Sequence, residues 1–295
     1  MLSILIPTYN YDCSALALSL RKQAEGLHAA VEILIGDDAS PRHDVAVACK
    51  RLNKEPGIRS LRAPRNLGRA AVRNWLGKMA SGEWLLFVDS DGMPPGPAFL
   101  RNYLQQAASG QADVVCGGIV HPSHLPSGGT NLRYRYERQA EKKHTAAARQ
   151  KRPYASFRSF NFMIRRTTFL AHGFDETFHE YGYEDVLFGY QLSAAGVPIR
   201  HIDNPLLNCD LEDNPAFLKK TEEALHTLAK HKELLAERVK VSRHLSRLHR
   251  LKLRRLLETV YRMSRAPLRK NLSGRKPSLF LFNAYKLLYL NHIWG

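Results

Sequence analysis

The stretch "GEWLLFVDSDGMPP", residues 82–95, decides the fold class of this 295-residue chain. Five apolar residues, 84–88, run directly into Asp89 and Asp91, which are separated by one small residue. A short apolar run bounded by turn residues predicts a buried strand. Side chains two positions apart in extended backbone face the same side, so the two carboxylates point together. They could belong to a solvated loop, a pair of caps or a site for a hard cation.

Strand and helix patterns alternate along the first half of the chain. The predicted strands are "SILIP" (3–7), "VEILIG" (31–36), "IRSLR" (58–62) and "WLLFV" (84–88). A helix with Ser14 as its N-cap separates the first two strands and stops at Gly26, and helical segments follow the other strands. This alternation predicts an α/β fold with a mostly parallel, Rossmann-like central sheet flanked by helices.

Polar residues follow three of these strands, at positions 8–10, 37–38 and 89–91. In open parallel sheets, ligands bind outside the carboxyl ends of the strands. We therefore expect the three strand ends to converge on one edge of the sheet and to form the functional site.

The carboxylates of Asp89 and Asp91 repel each other unless a cation or hydrogen-bond donors lie between them. Mg²⁺ or Mn²⁺, which prefer oxygen ligands, would meet that need, with phosphate oxygens completing the shell. In the alternative interpretation, Asp89 caps a turn and Asp91 begins an Asp-Gly turn.

The acidic residues after the second strand, Asp37 and Asp38, allow two similar interpretations. They could form an ordinary turn, or a carboxylate there could accept a hydrogen bond from a base N–H or a ribose hydroxyl. Tyr9 could offer a stacking face to the base, or it could be a half-buried aromatic residue at a strand end.

Two further motifs contain candidate site residues. "NLGRAAVRN", 66–74, places Gly68 at a helix start with Arg73 nearby, a combination suited to a diphosphate, although helix arginines more often lie on a solvated face. Glu184 and Asp185 lie among aromatic residues in the first turn of a predicted helix. A carboxylate in that setting can serve as a general base, and the same position also suits helix capping.

Five motifs in order resemble those of the family 2 inverting glycosyltransferases, which have the nucleotide-sugar-binding GT-A fold. They are "SILIPTYN", "EILIGDDAS", "NLGRAAVRN", "GEWLLFVDSDG" and "YGYEDVLFGYQL", and they span residues 3–192, about two-thirds of the chain. The resemblance implies that the base, with uracil expected, is held by Pro7, Thr8, Tyr9 and Asp38. It also implies that Asp89 contacts the ribose and that Asp91 binds the divalent ion bridging the donor diphosphate.

The same resemblance implies the chemistry. Asp185 would be the general base and Glu184 would contact the acceptor, with residues 121–160 and 173–185 supplying further acceptor contacts. One in-line displacement at the anomeric carbon would invert the stereochemistry. Many members of the family have a His as a further metal or phosphate ligand, but this sequence has Asn208 and Cys209 at the corresponding place, with His201 nearby.

The basic charge of the chain is concentrated near its C-terminus. Residues 230–295 contain 17 Lys and Arg but 3 Asp and Glu, a net charge of +14, whereas residues 1–229 contain 27 and 24, a net charge of +3. In this segment Leu256, Val260 and Met263 keep helical spacing on an Arg-rich background, and Pro267 is expected to end the helix.

An Arg-rich helical segment followed by an apolar, aromatic end suits an anionic membrane surface as a partner. We expect no nucleic-acid partner, because the chain has no recognised nucleic-acid-reading motif. A helical subdomain that covers the core and has a solvated basic face is the alternative. The cysteines are far apart, so we expect them to be core residues in a reducing compartment. The chain opens with a strand-like segment rather than a secretory signal, so we expect a cytoplasmic location, peripheral on the inner face of the membrane.

The sequence thus predicts a GT-A domain over 1–215, with a nucleotide-sugar half to about 115, and a basic helical extension over 216–295. The expected activity is sugar transfer from a UDP-sugar to a saccharide or lipid-linked acceptor in cell-surface polysaccharide or glycolipid synthesis. The alternative is a non-catalytic, basic nucleic-acid or membrane adaptor on the same scaffold. A sugar-phosphate nucleotidyltransferase would carry a Gly-rich phosphate loop after the first strand, where this chain has "PTYNYDCSA".

Overall fold

The structure, a computed structural model, describes residues 1–27, 29–124, 131–210 and 212–294. The chain divides into two compact units. The sheet unit comprises Met1–His121, Lys143–His179 and Glu184–Asp210, and the helical unit comprises Pro122–Lys142, Glu180–Tyr183 and Leu211–Gly295. The expected domain boundary after residue 215 stays a prediction.

A mostly parallel sheet forms the centre of the sheet unit. The strands are β1 Leu2–Thr8, β2 Val31–Asp37, β3 Ile58–Arg62, β4 Trp84–Val88, β5 Gly92–Met93, β6 Val114–Cys116, β7 Ile119–Val120, β8 Asn161–Arg165, β9 Ile199–His201 and β10 Leu206–Asn208. Among the described residues, seven of them are ordered β3-β2-β1-β4-β8-β6-β9. Only β8 in this order is antiparallel to its neighbours, β4 and β6. The predicted α/β fold class is confirmed.

Helices connect the strands and make up most of the helical unit. They are α1 Ser14–Glu25, α2 His43–Leu52, α3 Arg69–Met79, α4 Phe99–Ser109, α5 Leu132–Glu141, α6 Ala146–Gln150, α7 Arg166–His172, α8 Glu184–Ala194, α9 Asn214–Lys230, α10 Lys232–Leu235, α11 Lys240–Arg250, α12 Arg254–Ser273 and α13 Leu279–Ile293. The N-cap of α1 is Cys13 rather than the predicted Ser14, because the Ser14 hydroxyl instead donates to the Asp12 carboxylate at 2.5 Å.

The register of the sheet brings the polar strand ends together. β1 lies between β2 and β4 and runs parallel to both, with Thr8 opposite Asp37 and Leu5 opposite Phe87. The carboxyl ends of the three strands therefore lie at one edge, and the predicted convergence is confirmed.

Aromatic side chains fill the core on one face of the sheet. Phe87 of β4 stacks on Phe162 of β8 with ring centroids 4.9 Å apart, and Phe174 stacks on Phe188 of α8 at 4.3 Å. Buried aromatic pairs contribute about 0.5–1.5 kcal/mol beyond their area burial. This cluster fixes α8, which begins with the predicted acidic pair, against the strand that precedes Asp89.

A small second sheet orders the chain that follows Asp91. β5 pairs antiparallel with β10, and β10 pairs parallel with β7. A Cβ added to Gly92 would lie 2.1 Å from the Leu206 side chain, so only glycine allows β5 to approach β10 this closely. The Asp91 carbonyl accepts a hydrogen bond from the Cys209 amide at 2.9 Å. Asp91 is therefore tied to residues more than a hundred positions later in the chain.

The prediction that Pro267 ends its helix is wrong. α12 continues through it to Ser273. Proline removes the bond to the carbonyl four residues earlier, here that of the exposed Met263, where water can satisfy the oxygen. Beyond the proline, Leu268 and Leu272 are buried in the core of the helical unit and hold the second half of the helix in place. In the ranges described above, no helix is both long and apolar enough to cross a membrane.

Candidate functional site

The main chain turns sharply where β4 ends. The Asp89 amide donates to the Phe160 carbonyl at 3.0 Å, and the Gly92 amide donates to the Asp89 carbonyl, also at 3.0 Å. The backbone thus forms the turn that the alternative interpretation expects. The Asp89 side chain, however, is not a cap, because its carboxylate binds an arginine from α3.

Arg73 connects the end of β4 with the start of α8. Its guanidinium is 2% exposed, and Nη2 donates to Asp89 Oδ1 at 2.6 Å. Nη1 lies 3.7 Å from Glu184 Oε1 and donates to the Arg69 carbonyl at 3.1 Å. A buried charge is tolerated only where it is paired and hydrogen-bonded. Sequence reasoning placed Arg73 near a diphosphate and missed that it lies between two site carboxylates.

Asp37, the last residue of β2, and Asp38, which follows it, each stabilise a neighbouring segment. Asp37 is buried and binds the Arg62 guanidinium. Asp38 is 4% exposed and accepts from the amides of Leu67 and Gly68 at 2.6 Å and 3.0 Å. Burial raises the pKa of the Asp38 carboxyl, although these two amides act in the opposite direction. Asp38 thereby fixes the start of α3, and its contact with a base stays a prediction.

The residues at the end of β1 differ in exposure. Thr8 is buried, and its hydroxyl donates to the Tyr11 carbonyl at 2.7 Å. Pro7 is partly buried opposite Gly36 of β2. Tyr9 is 49% exposed, so about half of its surface is open to solvent, and both interpretations of this residue stay predictions. The Tyr9 ring is thus accessible to a planar ligand.

Asn74, next to Arg73, holds the segment that leads toward α8. Its amide nitrogen donates to the Phe174 carbonyl and to the Glu176 carboxylate, both at 2.8 Å, and its oxygen accepts from the Phe174 amide at 2.8 Å. Sequence reasoning missed this role. The signal that could have found it is an Asn inside a helical pattern, a position where a polar side chain needs a specific partner.

Glu184 is the inner member of the acidic pair at the start of α8. It is 4% exposed. Burial raises the pKa of its carboxyl, Asp185 adds to this effect, and the guanidinium groups of Arg69 and Arg73 oppose it. Glu184 is therefore a buried carboxylate whose charge depends on the two arginines of α3.

Asp185 has different surroundings. Its side chain is 19% exposed, and Oδ2 lies 3.9 Å from Arg158 Nε. Its other oxygen accepts from the adjacent Val186 amide at 2.7 Å rather than from an amide further into the helix, which is where a capping side chain would bond. The partner Arg158 was not predicted, because it lies in the irregular stretch before β8, whose pattern gives no periodic signal.

Asp91 lies in an acidic neighbourhood. Burial raises the pKa of the Tyr11 phenol, and the nearby charges of Asp91, Cys209 and Asp210 raise it further. The Asp91 and Asp210 carboxylates are thus both near this phenol, and neighbouring carboxylates favour a cation. The Cys209 thiol adds no charge at neutral pH, because burial and Asp91 raise its pKa. Within the described ranges, no group of three or more His, Cys, Asp or Glu side chains could hold a metal ion on its own.

Cys209 and His201, which were considered above as a further metal or phosphate ligand, lie in two different environments. Cys209 is exposed, unlike the buried Cys13, Cys49 and Cys116, so its expected place in the core is wrong. It follows β10, whose pairing with β5 brings it beside Asp91. The sequence pattern could not show this pairing, because both strands are very short.

His201 belongs to a separate buried cluster at the far edge of the sheet. Nε2 lies 2.9 Å from the Pro153 carbonyl oxygen, and Nδ1 lies 3.3 Å from Arg149 Nη1. These contacts assign the proton to Nε2 and leave Nδ1 as the acceptor. Burial lowers the pKa of His201 to about 4. His201 therefore has a structural role as a neutral side chain.

Comparisons with known proteins identify the family and the fold of the chain. The sequence model of glycosyl transferase family 2 matches residues 3–174, more than half of the chain. An uncharacterised glycosyltransferase of Haemophilus influenzae is 29% identical over 93 residues, which cover 31% of this chain and 36% of that protein. The matched part thus spans about a third of this curated relative.

Two solved structures share the fold. The mannosyltransferase PcManGT of Pyrobaculum calidifontis, in complex with GDP-Man and Mn²⁺, has a TM-score of 0.58 and 15% identity, over 99% of this chain and 85% of that chain. S. aureus TarS 1-349 in complex with UDP has a TM-score of 0.53 and 16% identity, over 99% and 90%. This chain covers 39% of a longer TarS chain. At these identities the similarity concerns the fold alone.

Proposed function

We propose, from the premise that this chain belongs to glycosyl transferase family 2, that it transfers a sugar from a UDP-sugar to an acceptor hydroxyl, with inversion. The observation that carries this proposal is the position of Arg73 between Asp89 and Glu184. Through it, the strand end expected to bind the donor and the helix start expected to bind the acceptor form one site. In this proposal a proton acceptor and a donor-binding group therefore belong to the same site.

The donor would lie along the edge formed by β1, β2 and β4. In our proposal the base stacks on the exposed Tyr9 ring and contacts Pro7, Thr8 and Asp38. Asp89 accepts from the ribose while Arg73 fixes its orientation. Support comes from the register that aligns these strand ends and from the accessible Tyr9 ring.

The residues around Asp91 fit a divalent ion, Mg²⁺ or Mn²⁺. The acidic neighbourhood of Asp91 and Asp210 would be offset by a cation, and the donor diphosphate and water would complete an oxygen shell. We propose Asp91 as the protein ligand, with Asp89 as a second candidate that Arg73 already occupies. When bound, the ion supplies positive charge that stabilises the leaving diphosphate.

Asp185 is the proposed general base. It is partly exposed, whereas Glu184 is buried, so Asp185 is the carboxylate that an acceptor hydroxyl can reach. Asp185 removes the hydroxyl proton as the acceptor oxygen bonds to the anomeric carbon and the bond from that carbon to the diphosphate oxygen breaks. One displacement occurs on one face of the sugar, and the configuration inverts. Glu184 connects the start of α8 with Arg73, and its expected contact with the acceptor stays a prediction.

The acceptor is proposed to be a saccharide or a lipid-linked saccharide of cell-surface polysaccharide or glycolipid synthesis. Residues 121–160 and 173–185 stay the proposed contact segments, and of these 125–130 lie outside the described residues. A cytoplasmic, membrane-peripheral location belongs to the same proposal. The competing proposal is an adaptor without catalysis, which the basic C-terminal segment favours.

A screen of nucleotide sugars by thermal shift, with Mn²⁺ or with EDTA, tests the proposal. We expect a UDP-sugar to raise the Tm in Mn²⁺, because a ligand at 100 times its Kd adds about 2.7 kcal/mol to the unfolding free energy. The shift should shrink in EDTA. If no nucleotide sugar shifts the Tm under either condition while RNA does, the adaptor proposal is correct and the transferase proposal is wrong.

A further inference from the structure

The outward face of α12 carries an apolar stripe. Leu256, Val260 and Met263 are 58%, 41% and 78% exposed, and with the exposed Pro267 they follow the spacing of one helix face. The opposite face is the one that packs, because Tyr261 and other residues of α12 are buried in the core of the helical unit. A solvent-facing helix surface is normally polar, so this arrangement needs a partner.

Basic side chains lie beside the stripe, and α11 carries more of them. Arg255 and Arg262 of α12 are exposed beside it, and α12 contains one acidic residue, Glu258, which binds Arg262 at 2.7 Å. α11 contains no Asp or Glu. Its buried residues include Ser242 and Leu245, while its exposed residues are largely basic: Lys240, Arg243, His244, Arg247 and Arg250. Both helices pack against α13 within the helical unit.

We propose that the apolar stripe of α12 and the basic residues of α11 and α12 form a docking surface for an anionic lipid bilayer. Leucine, valine and methionine enter the boundary between headgroups and acyl chains, while arginines bind lipid phosphates. Charge complementarity selects this partner, since the surrounding segment has a net charge of +14 over residues 230–295. The surface lies outside the residues proposed for catalysis, so this inference is independent of the proposed reaction.

Two other partners fit the surface less well. A nucleic acid would engage the arginines but would leave three large apolar side chains exposed in the middle of the contact. A second copy of the chain would bring two strongly basic faces together, and their repulsion would oppose a symmetric contact. An anionic bilayer satisfies both the apolar stripe and its basic border.

The test is flotation of the full-length chain with large unilamellar vesicles in 0.1 M salt. One set contains phosphatidylcholine alone and the other contains phosphatidylcholine with phosphatidylglycerol. We expect binding to the anionic vesicles, at least tenfold weaker binding to the neutral ones, and a decrease in binding as salt is raised. Equal binding to both vesicle types, or none to the anionic vesicles, would overturn the proposal.

Two variants separate the apolar and basic contributions. The triple variant Leu256→Gln, Val260→Gln and Met263→Gln should lose at least tenfold in binding while keeping the wild-type circular dichroism spectrum. The matched control, Leu18→Gln, Met79→Gln and Leu170→Gln, alters three comparably exposed apolar residues of the sheet unit and should bind as wild type. The variant Arg243→Gln, Arg247→Gln and Arg255→Gln should bind more weakly and respond less to salt.

The same variants distinguish the lipid bilayer from the other possible partners of this surface. If the Gln triple variant of α12 binds anionic vesicles as well as its control does, the stripe is not a lipid contact and the proposal fails. It also fails if wild type sediments as a dimer that this variant converts to a monomer. Failure of vesicle binding together with normal nucleotide-sugar binding would refute the docking surface and leave the proposed reaction intact.

Discussion

The acidic pair after β4 and the acidic pair at the start of α8 are arranged alike around one arginine. In each pair one carboxylate faces Arg73: Asp89 at 2.6 Å and Glu184 at 3.7 Å. The other two have separate surroundings. Asp91 is joined through its backbone to Cys209, and Asp185 lies 3.9 Å from Arg158. In each pair, then, one carboxylate faces Arg73, whereas the other residue is joined to a different segment of the chain.

This difference assigns separate roles within each pair. The carboxylates that face Arg73 should matter for the folded arrangement of the site, because a buried ion pair loses several kcal/mol when one partner is removed. Asp91 and Asp185 should matter mainly for ligand and proton chemistry. Substitutions that retain the shape of each side chain can test this division.

The largest expected effect on activity comes from Asp185→Asn. The amide keeps the shape but cannot accept the acceptor proton, and general-base catalysis contributes about 10²- to 10⁴-fold to a rate. We expect the transfer rate to fall within that range while UDP binding, measured by calorimetry, changes less than twofold.

Asp203→Asn is the matched control, because Asp203 is an exposed aspartate in the loop between β9 and β10 of the same unit. It should transfer at the wild-type rate. If Asp185→Asn kept full transfer activity, the assignment of the base would be wrong.

Arg73→Met should have the largest effect on stability. It leaves Asp89 and Glu184 without their shared guanidinium, and breaking a buried pair costs about 3–5 kcal/mol. Urea unfolding should show this loss, with a smaller loss for Arg73→Lys, which keeps the charge but not the planar fork.

A double-mutant cycle sharpens this result. Combining Arg73→Met with Glu184→Gln should recover about 0.5–3 kcal/mol relative to the sum of the single effects, because the two residues share one contact. Additive effects would mean that Arg73 and Glu184 do not interact, and the common arrangement of the two pairs would be refuted.

The pH dependence of Glu184→Gln tests the buried carboxylate with a smaller expected effect. Burial raises the pKa of Glu184 in the folded state above its ordinary value of 4.5, so the folded protein binds this proton more tightly. Its contribution to stability is fully present below pH 4.5 and is lost as pH rises through the folded-state pKa. The stability of wild type relative to Glu184→Gln should therefore fall as pH rises above 4.5.

Urea unfolding of both proteins at several pH values measures this difference. Asp185→Asn serves for comparison, since Asp185 is more exposed than Glu184. A constant difference between wild type and Glu184→Gln across the range would mean that Glu184 is not a buried carboxylate with a raised pKa.

Local patterns predicted the strands and the edge where they end, because an apolar run followed by polar turn residues is a short-range signal. They could not predict the partners of Arg73 and Asn74. Asn74 bonds to Phe174, which lies 100 residues later, and no local periodicity encodes such a contact. The spacing of Leu256, Val260 and Met263 predicted one helix face correctly, but spacing alone does not tell whether that face packs or is exposed.

The most direct measurement compares UDP binding and sugar transfer in Asp91→Asn and Asp185→Asn, with Mn²⁺ present. We predict that Asp91→Asn binds UDP 10- to 100-fold more weakly, which corresponds to about 1.4–2.7 kcal/mol, with an unchanged unfolding curve. Asp185→Asn should bind UDP normally and transfer sugar about 10²- to 10⁴-fold more slowly. If Asp91→Asn bound UDP as tightly as wild type, or if both variants lost binding and transfer in parallel, the division of roles within the two acidic pairs would be contradicted.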